Sequence, residues 1–446
     1  MEYQFNITDF GAVADGVTNN AAAIQAAIDK ATKVGGRVII PAGHFLSGTI
    51  VLKSNIDFHL DAGAVLIGSL NQEDILDFAS LFEDDNKDTG WDGGCFLFAY
   101  HEENITISGE GCIYGQGYRV FYDDDADHGA HQCPLNVRAF RPRTTFLEDV
   151  KNLTIKDITF KDAAFWTLHM AGCQHVIVKD IRILNDVRGA NNDGIDPDCC
   201  KDVLITGCIV ETGDDAIVVK STKPMAEKYG SCENIVISNC ILSSRDSALK
   251  IGTETHGDIR NVLLSNCIIK DCSRGIGIWA RDGATIEDIH ISNISGSVLK
   301  YADGDRTEGP AMWWGNGEPI FVNATYRNKQ TTNPGKIQNV TFDHVHLKAE
   351  SSIFVAGEEN ARIENITITN VDITMCKQGT EKSGYFDEQP SIRHVYPHSI
   401  PAVYLRSVDN VMVSGKVKYL DPYCVTTNPL VECENCREEI VKLVER

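Results

Sequence analysis

NLTIKDITF (Asn152–Phe160), HVIVKDIRI (His175–Ile183), DVLITGCIV (Asp202–Val210), NIVISNCIL (Asn234–Leu242), NVLLSNCII (Asn261–Ile269) and DIHISNISG (Asp288–Gly296) are one segment written six times. Their starts are 23, 27, 32, 27 and 27 residues apart. Related segments begin at Asn104 (NITISGEGCIYG), Asn339 (NVTFDHVHL), Asn365 (NITITNVDI) and Asn410 (NVMVSGKVKY). In each, apolar or β-branched residues alternate with polar ones, the period-2 signature of a strand with one buried face, and an Asn, Asp or Gly-type corner interrupts it midway. A unit of about 25 residues with two or three short strands and no helical stretch buries its apolar face only by stacking on the next unit. This predicts an all-β, single-domain parallel β-helix. A leucine-rich solenoid is excluded, because its Leu-x-x-Leu-x-Leu spacing is absent.

A solenoid needs its ends covered. Residues 19–34 (NAAAIQAAIDKATKVG) carry apolar residues at helical spacing between an Asn start and the Gly35-Gly36 stop, so a short N-terminal capping helix is predicted there. The tail over 425–446, from Glu434 on, has the composition for a second helix. Residues 74–131, with Asp123-Asp124-Asp125, and 304–335, with Trp313 and Trp314, depart from the repeat and are expected as loop insertions framing a groove. On this reading residues 1–446 form one domain.

Composition narrows the function. The chain of 446 residues holds 41 Lys+Arg against 63 Asp+Glu, a formal charge of −22, with 43% hydrophobic residues. That is too apolar for a disordered acidic chain and too acidic to bind nucleic acid or an anionic membrane, which would demand clustered cations. No basic stretch leads into an apolar core at the N-terminus and no run of eighteen apolar residues occurs, so neither a signal peptide nor a membrane span is expected. Fifteen cysteines, an odd number in a chain large enough to build a core, read as reduced, packed thiols of a cytoplasmic protein. The lone Cys433-x-x-Cys436 pair adds no metal or redox assignment. Oligomeric state is not legible.

Two repeats are dense in carboxylates: Asn191-Asn192-Asp193-Gly194-Ile195-Asp196-Pro197-Asp198 and Gly213-Asp214-Asp215-Ala216. Asp193 and Asp214 are 21 residues apart, about one coil. Grouped carboxylates repel, a cost that makes sense where one of them must hold a proton. Glycoside hydrolysis asks for this: one carboxylic acid protonates the leaving oxygen while another carboxylate activates water or attacks. Corner punctuation and calcium binding are the alternative uses of such acids.

Arg141-Pro142-Arg143, Phe165-Trp166-Thr167-Leu168-His169, Asn192-Asp193-Gly194-Ile195-Asp196 and Thr212-Gly213-Asp214-Asp215-Ala216-Ile217 with Lys220-Ser221 resemble, in order and spacing, glycoside hydrolase family 28, the polygalacturonase group. Asp9-Phe10-Gly11-Ala12, Asp15-Gly16 and Gly35-Gly36-Arg37-Val38 match its opening pattern, and the likeness runs from about Phe5 to Val411. The resemblance implies a right-handed parallel β-helix that cleaves glycosidic bonds with inversion and without a cofactor or metal. It implies Asp214 as general acid, Asp193 and Asp215 as the pair activating water, and Lys220 near the same subsite with Asn191. Where the family carries Gly-His-Gly, this chain reads Ser244-Arg245-Asp246-Ser247-Ala248-Leu249-Lys250, with Asp246 in place of the histidine. Where the family carries Arg-Ile-Lys, it reads Arg274-Gly275-Ile276-Gly277-Ile278-Trp279-Ala280-Arg281.

Trp279 is therefore expected as a stacking surface for a sugar ring, and Lys250, Arg274 and Arg281 as displaced cations for a substrate carboxylate. His169 and Glu318 complete the expected substrate-binding set. The function so read is an inverting hydrolase, exo-acting on pectin-derived or related oligosaccharides. A polysaccharide lyase or uronic-acid epimerase on the same fold, with Lys250 as base, and a non-catalytic carbohydrate-binding β-helix are the other readings.

Overall fold

The computed structural model describes residues 3–77, 94–122, 134–137, 140–301, 314–420 and 429–445. Its strands group into two compact units, residues 1–123 with 135–213, and 214–446 with 124–134. Each is a length of right-handed parallel β-helix, the hand expected of crossovers between parallel strands.

In the first unit three parallel walls alternate along the chain. One stacks Gln4–Asn6, Arg37–Ile40, Ile56–Leu60, Glu103–Gly109, Lys151–Lys156, Gln174–Lys179 and Lys201–Thr206 in register. A second runs from Asp15–Asn19 to Ile209–Thr212. The third stacks Ile50–Val51, Cys95–Tyr100, Arg143–Glu148, Leu168–Ala171 and Ile195–Asp198. Like residues align coil upon coil: Ile105, Leu153, Val176 and Val203 form one buried column, Ile107, Ile155, Val178 and Ile205 the next. Each such side chain contributes roughly 1.5–3 kcal/mol on leaving water.

The second unit has two walls. Strands up to 14 residues long, Ile259–Cys272, Thr285–Val298 and Lys336–Ala349, continue through Ile363–Met375 and Val408–Tyr419. Opposite them stack Ile217–Ser221, Ser247–Thr255, Arg274–Ala280, Glu318–Ala324, Ile353–Ala356, Val403–Arg406 and Val431–Glu434.

The corner residue explains the repeat's first letter. Asn55, Asn104, Asn152, His175 and Asp202 in the first unit, and Asn234, Asn261, Asp288, Asn339, Asn365 and Asn410 in the second, all adopt a left-handed backbone with φ of 53–62°. Asn and Asp tolerate that region better than other residues with a Cβ. The side chains then bond up the stack: Asn104 Nδ2 donates to Asn55 Oδ1 (2.9 Å), Asn152 to Asn104 (3.0 Å), Asn365 to Asn339 (3.0 Å) and Asn410 to Asn365 (2.8 Å).

The capping helix spans Ala21–Ala31 and buries Ile24, Ala27, Ile28 and Ala31. The tail is not a helix. Arg437–Glu445 is a strand paired in parallel with Val408–Tyr419, because the open edge of that strand offers a row of backbone partners to a segment rich in β-branched residues. The expected insertions also shrink. Within 74–131, Cys95–Tyr100, Glu103–Gly109 and Cys112–Tyr114 are wall strands, and within 304–335 Glu318–Ala324 is another. Residues 78–93, 123–133, 302–313 and 421–428, which hold Asp123, Asp124, Asp125, Trp313 and part of the tail, lie outside the described residues. A long excursion that sequence reading passed over follows Met375, where Tyr385–Asp387 and Val395–Pro397 pair as an antiparallel hairpin. The thirteen described cysteines are free thiols, mostly buried. No described helix is long and apolar enough to cross a membrane.

Candidate active site

In the first unit the third wall delivers the residues around Asp193. Thr167 N–H donates to the Asp193 carbonyl (3.0 Å), and the Asp193 side chain is buried. Asn192 is the organiser of this turn. Its Oδ1 accepts from Gly213 N–H (2.8 Å), its Nδ2 donates to the Asp186 carbonyl (2.8 Å), and its own carbonyl accepts from Asn185 Nδ2 (2.9 Å). Gly213 is required by close approach, since a Cβ there would lie 2.3 Å from the Gly189 carbonyl oxygen. Asn192 therefore fixes the backbone that leads into Asp214. Asn191, at φ 54°, is held by Arg141, whose Nη2 donates to its Oδ1 (2.8 Å) and whose Nη1 donates to the Ala190 carbonyl (2.6 Å). Arg141 lies over the Phe165 ring at 4.4 Å, so the Arg-Pro-Arg motif braces the turn. His169 is 3% exposed, with Nε2 3.3 Å from Asp198 Oδ2 and its ring edge-on to Trp166. It is built into the wall, not presented to a ligand.

In the second unit Asp214 and Asp215 open the strand Ile217–Ser221, and a serine-rich turn from the next coil grips them. Ser244 Oγ donates to the Asp214 carbonyl (2.6 Å), Ser247 N–H donates to Asp215 Oδ1 (3.2 Å), and Asp215 N–H donates to Asp214 Oδ1 (2.9 Å). Ser247 Oγ donates to Asp246 Oδ1 (2.9 Å). Lys250 Nζ donates to Asp215 Oδ2 at 2.8 Å. Asp215, Asp246, Lys220 and Lys250 are each at most 5% exposed, while Asp214 is half-buried and the most exposed of these acids. Burial pushes Asp215 up to about 6; Lys250 opposes that shift, Asp246 adds to it, and Lys220 pulls down. Asp246 is raised by burial and by Asp214, against the pull of Lys250 and Arg274. For Lys250 burial favours the neutral amine, but Asp215, Asp246 and Asp214 outweigh it and hold the ammonium charged.

Four expected substrate contacts are corrected here. Trp279 is fully buried, folded back over Gly277 so closely that a Cβ at 277 would lie 2.1 Å from its ring, and packed on Phe321 at 5.0 Å. Its faces are not open to a sugar. Arg274 is fully buried and turned to the excursion after Met375: Nη2 donates to the Asp387 carbonyl (2.7 Å) and Nε lies 3.4 Å from Glu318 Oε2. Glu318 is accordingly the buried counter-ion of Arg274, also accepting from Asn316 N–H (2.8 Å), and burial raises its pKa. Arg281, also fully buried, donates to the carbonyls of Pro390 (2.8 Å), Glu388 (3.2 Å), Ala280 (3.0 Å) and Asn323 (3.0 Å). Both guanidiniums clamp the excursion and are unavailable to a ligand. Trp314 is the ring that sequence reading left out. It is half-buried and lies 5.4 Å over Lys250 Nζ, with Trp279 at 5.4 Å. Its only sequence signal was a Trp beside Gly and Asn in an irregular segment.

The excursion roofs one end of the wall. The register Lys250, Gly277, Phe321, Phe354, Tyr404 defines one outward row. Past Gly277 that row is buried: Phe321 packs between Trp279 and Phe354, and Phe386 covers the far end, its ring centroid 5.0 Å from Phe354 and 4.8 Å from Tyr404. Only the Lys250 end of the row reaches the Asp214–Asp215 cluster.

Residues 32–389 match the family model described as Glycosyl hydrolases family 28. A Vitis vinifera protein named "Probable polygalacturonase" is 26% identical over 318 residues, covering 67% of this chain and 61% of the relative. The exo-poly-alpha-D-galacturonosidase of Dickeya chrysanthemi is 26% identical over 296 residues, 56% of this chain and 47% of that protein. The chain thus spans about half to three-fifths of the length of these relatives. The solved family 28 exopolygalacturonase of Yersinia enterocolitica superposes with a TM-score of 0.74 at 19% identity, over 98% of this chain and 78% of that one, a likeness of fold.

Proposed function

The chain belongs to glycosyl hydrolases family 28, and from that membership we propose that it is an inverting glycoside hydrolase releasing units from one end of pectin-derived oligosaccharides. The observation that carries the reading is the unequal pair at Asp214 and Asp215. One carboxyl is half-exposed, the other is buried against a lysine with its pKa pushed up to about 6. Adjacent carboxyls in different environments take different roles, one giving a proton to the leaving oxygen, the other taking one from water. Asp214, the more exposed, is the general acid. Asp215 is the general base, and the family motif gives Asp193 the same role. Lys220 and Asp246 tune Asp215 electrostatically, and Trp314 offers the ring on which a sugar stacks.

Exo action is supported by the covered row, since a chain laid along the wall from Lys250 meets the Trp279 ring at Gly277 and, further on, the Phe386 cover over Phe354 and Tyr404. The same cover favours short oligosaccharides over polymer. A lyase with Lys250 as base is disfavoured, because three carboxylates keep that ammonium protonated and a charged ammonium cannot abstract a proton.

Oligogalacturonides and a panel of aryl glycosides, followed by proton NMR and chromatography, test this. Monomer or dimer released first with inverted anomeric configuration is expected. Internal cleavage overturns the exo assignment, and an unsaturated product absorbing in the near ultraviolet overturns hydrolysis.

A further inference from the structure

Lys250 is a residue that family membership does not account for, and its setting is unusual. The strand Ser247–Thr255 places it opposite Val218 on one side and Gly277 on the other. Because residue 277 has no side chain, the Trp279 indole folds into that space and becomes a fixed surface 5.4 Å from the ammonium. Trp314 stands at the same distance. Two indole rings hold the cation by charge–quadrupole attraction, and Nζ reaches Asp215 Oδ2 at 2.8 Å. The stem cannot swing to another partner without leaving both rings.

We propose that Lys250 is a positioning residue for catalysis: it holds the Asp215 carboxylate ionised and aimed, so that this buried group can act as base on the attacking water. The inference rests on the glycosidase reading given above. The charged groups facing the pair are Asp214 on the same turn, Asp246 at the start of the next coil's strand, Lys220 on the strand after Asp215, and Arg274, which faces Asp246. Lys250 is in direct contact with Asp215, and it counters both burial and the Asp246 charge. Without it, two buried carboxyls, Asp215 and Asp246, would compete for ionisation, and a base that stays protonated cannot accept a proton from water.

The test is the pH dependence of kcat/KM on an oligogalacturonide for the wild-type chain, Lys250→Met, Lys250→Arg and Asp246→Asn, with unfolding midpoints alongside. Removing the cation raises the Asp215 pKa, so in Lys250→Met the acid limb moves to higher pH by about one unit or more, a loss of about tenfold or more below the wild-type limb. Lys250→Arg restores most of the limb. Asp246→Asn, nearly isosteric, removes a negative neighbour and moves the limb the other way; it also answers the question if Lys250→Met does not fold. An equal loss at every pH in Lys250→Met, or a limb unmoved in Asp246→Asn, overturns the proposal. A higher KM with kcat and limb unchanged in Lys250→Met also overturns it, by making Lys250 a substrate cation. Asp214→Asn is run in parallel: full turnover there overturns the glycosidase reading itself, whereas abolished turnover with an unmoved Lys250→Met limb overturns this inference alone.

Discussion

Arg281→Met separates a structural cation from a substrate-binding one. The guanidinium is fully buried, and among the described residues its hydrogen bonds go to carbonyl and amide oxygens. Glu388 is already paired with Arg406 at 2.7 and 2.8 Å, and burial pushes Arg281 down to about 9. Beyond the carbonyl of the adjoining Ala280, Arg281 satisfies four acceptors: the Pro390, Glu388 and Asn323 carbonyls and Asn323 Oδ1. A buried acceptor stripped of its donor costs about 1–3 kcal/mol. Four such groups set an upper bound of about 12 kcal/mol, reduced by the desolvation that no longer has to be met and by the apolar packing of Met. A net loss of about 3–5 kcal/mol is expected, read by urea unfolding. Faster proteolysis between Met375 and Val403 should accompany it, since the lost bonds anchor that excursion. Unfolding free energy within about 0.5 kcal/mol of wild type, together with a raised KM for oligogalacturonide, would refute the structural role and restore Arg281 as a substrate cation.

Turnover of the wild-type chain should fall as pH drops through about 6, the value to which burial pushes Asp215; the base is competent only when ionised, so activity is present above that pH and lost below it, and a limb near 4 would contradict the burial argument. The two tryptophans should separate. Trp279→Ala empties a closed core site and should cost about 3–5 kcal/mol of stability, whereas Trp314→Ala, at a half-exposed ring, should leave the unfolding midpoint nearly unchanged and raise KM about tenfold, roughly the 1.4 kcal/mol of a stacking contact. Exchanged outcomes, measured by the same unfolding and kinetic assays, would reverse the assignment of the two rings.

The β-helix was legible in the sequence because its determinants are local. Alternation sets the buried face of each strand, and an Asn or Asp at the start of all but the His175 repeat marks the left-handed corner found at Asn152, Asp202, Asn261 and Asn365. The acids were legible because a turn such as Gly213-Asp214-Asp215 is read within four residues. The errors arise where distant segments decide. Arg274 and Arg281 flank the positions where the family keeps its cations, yet their partners Asp387, Glu388 and Pro390 are more than 100 residues away. No periodicity announces that the segment after Met375 returns to cover them, and the same cover hides Phe354 and Tyr404 along the row from Lys250. Arg437–Glu445 failed for another reason: its apolar spacing fits a helix or a strand, and the free edge of Val408–Tyr419 settles the choice. The pairing of Lys250 with Asp215, 35 residues apart, follows from coil stacking, which the repeat implies only to within a residue or two.

The central claim is that Asp214 supplies the proton for glycosidic cleavage. Turnover of an oligogalacturonide by Asp214→Asn, beside an unfolding curve of the same preparation, tests it most directly. The change keeps the side-chain shape and the oxygen that accepts from Asp215 N–H, so the fold should be retained while turnover falls by about two to four orders of magnitude. Turnover equal to that of the unaltered chain would contradict the account.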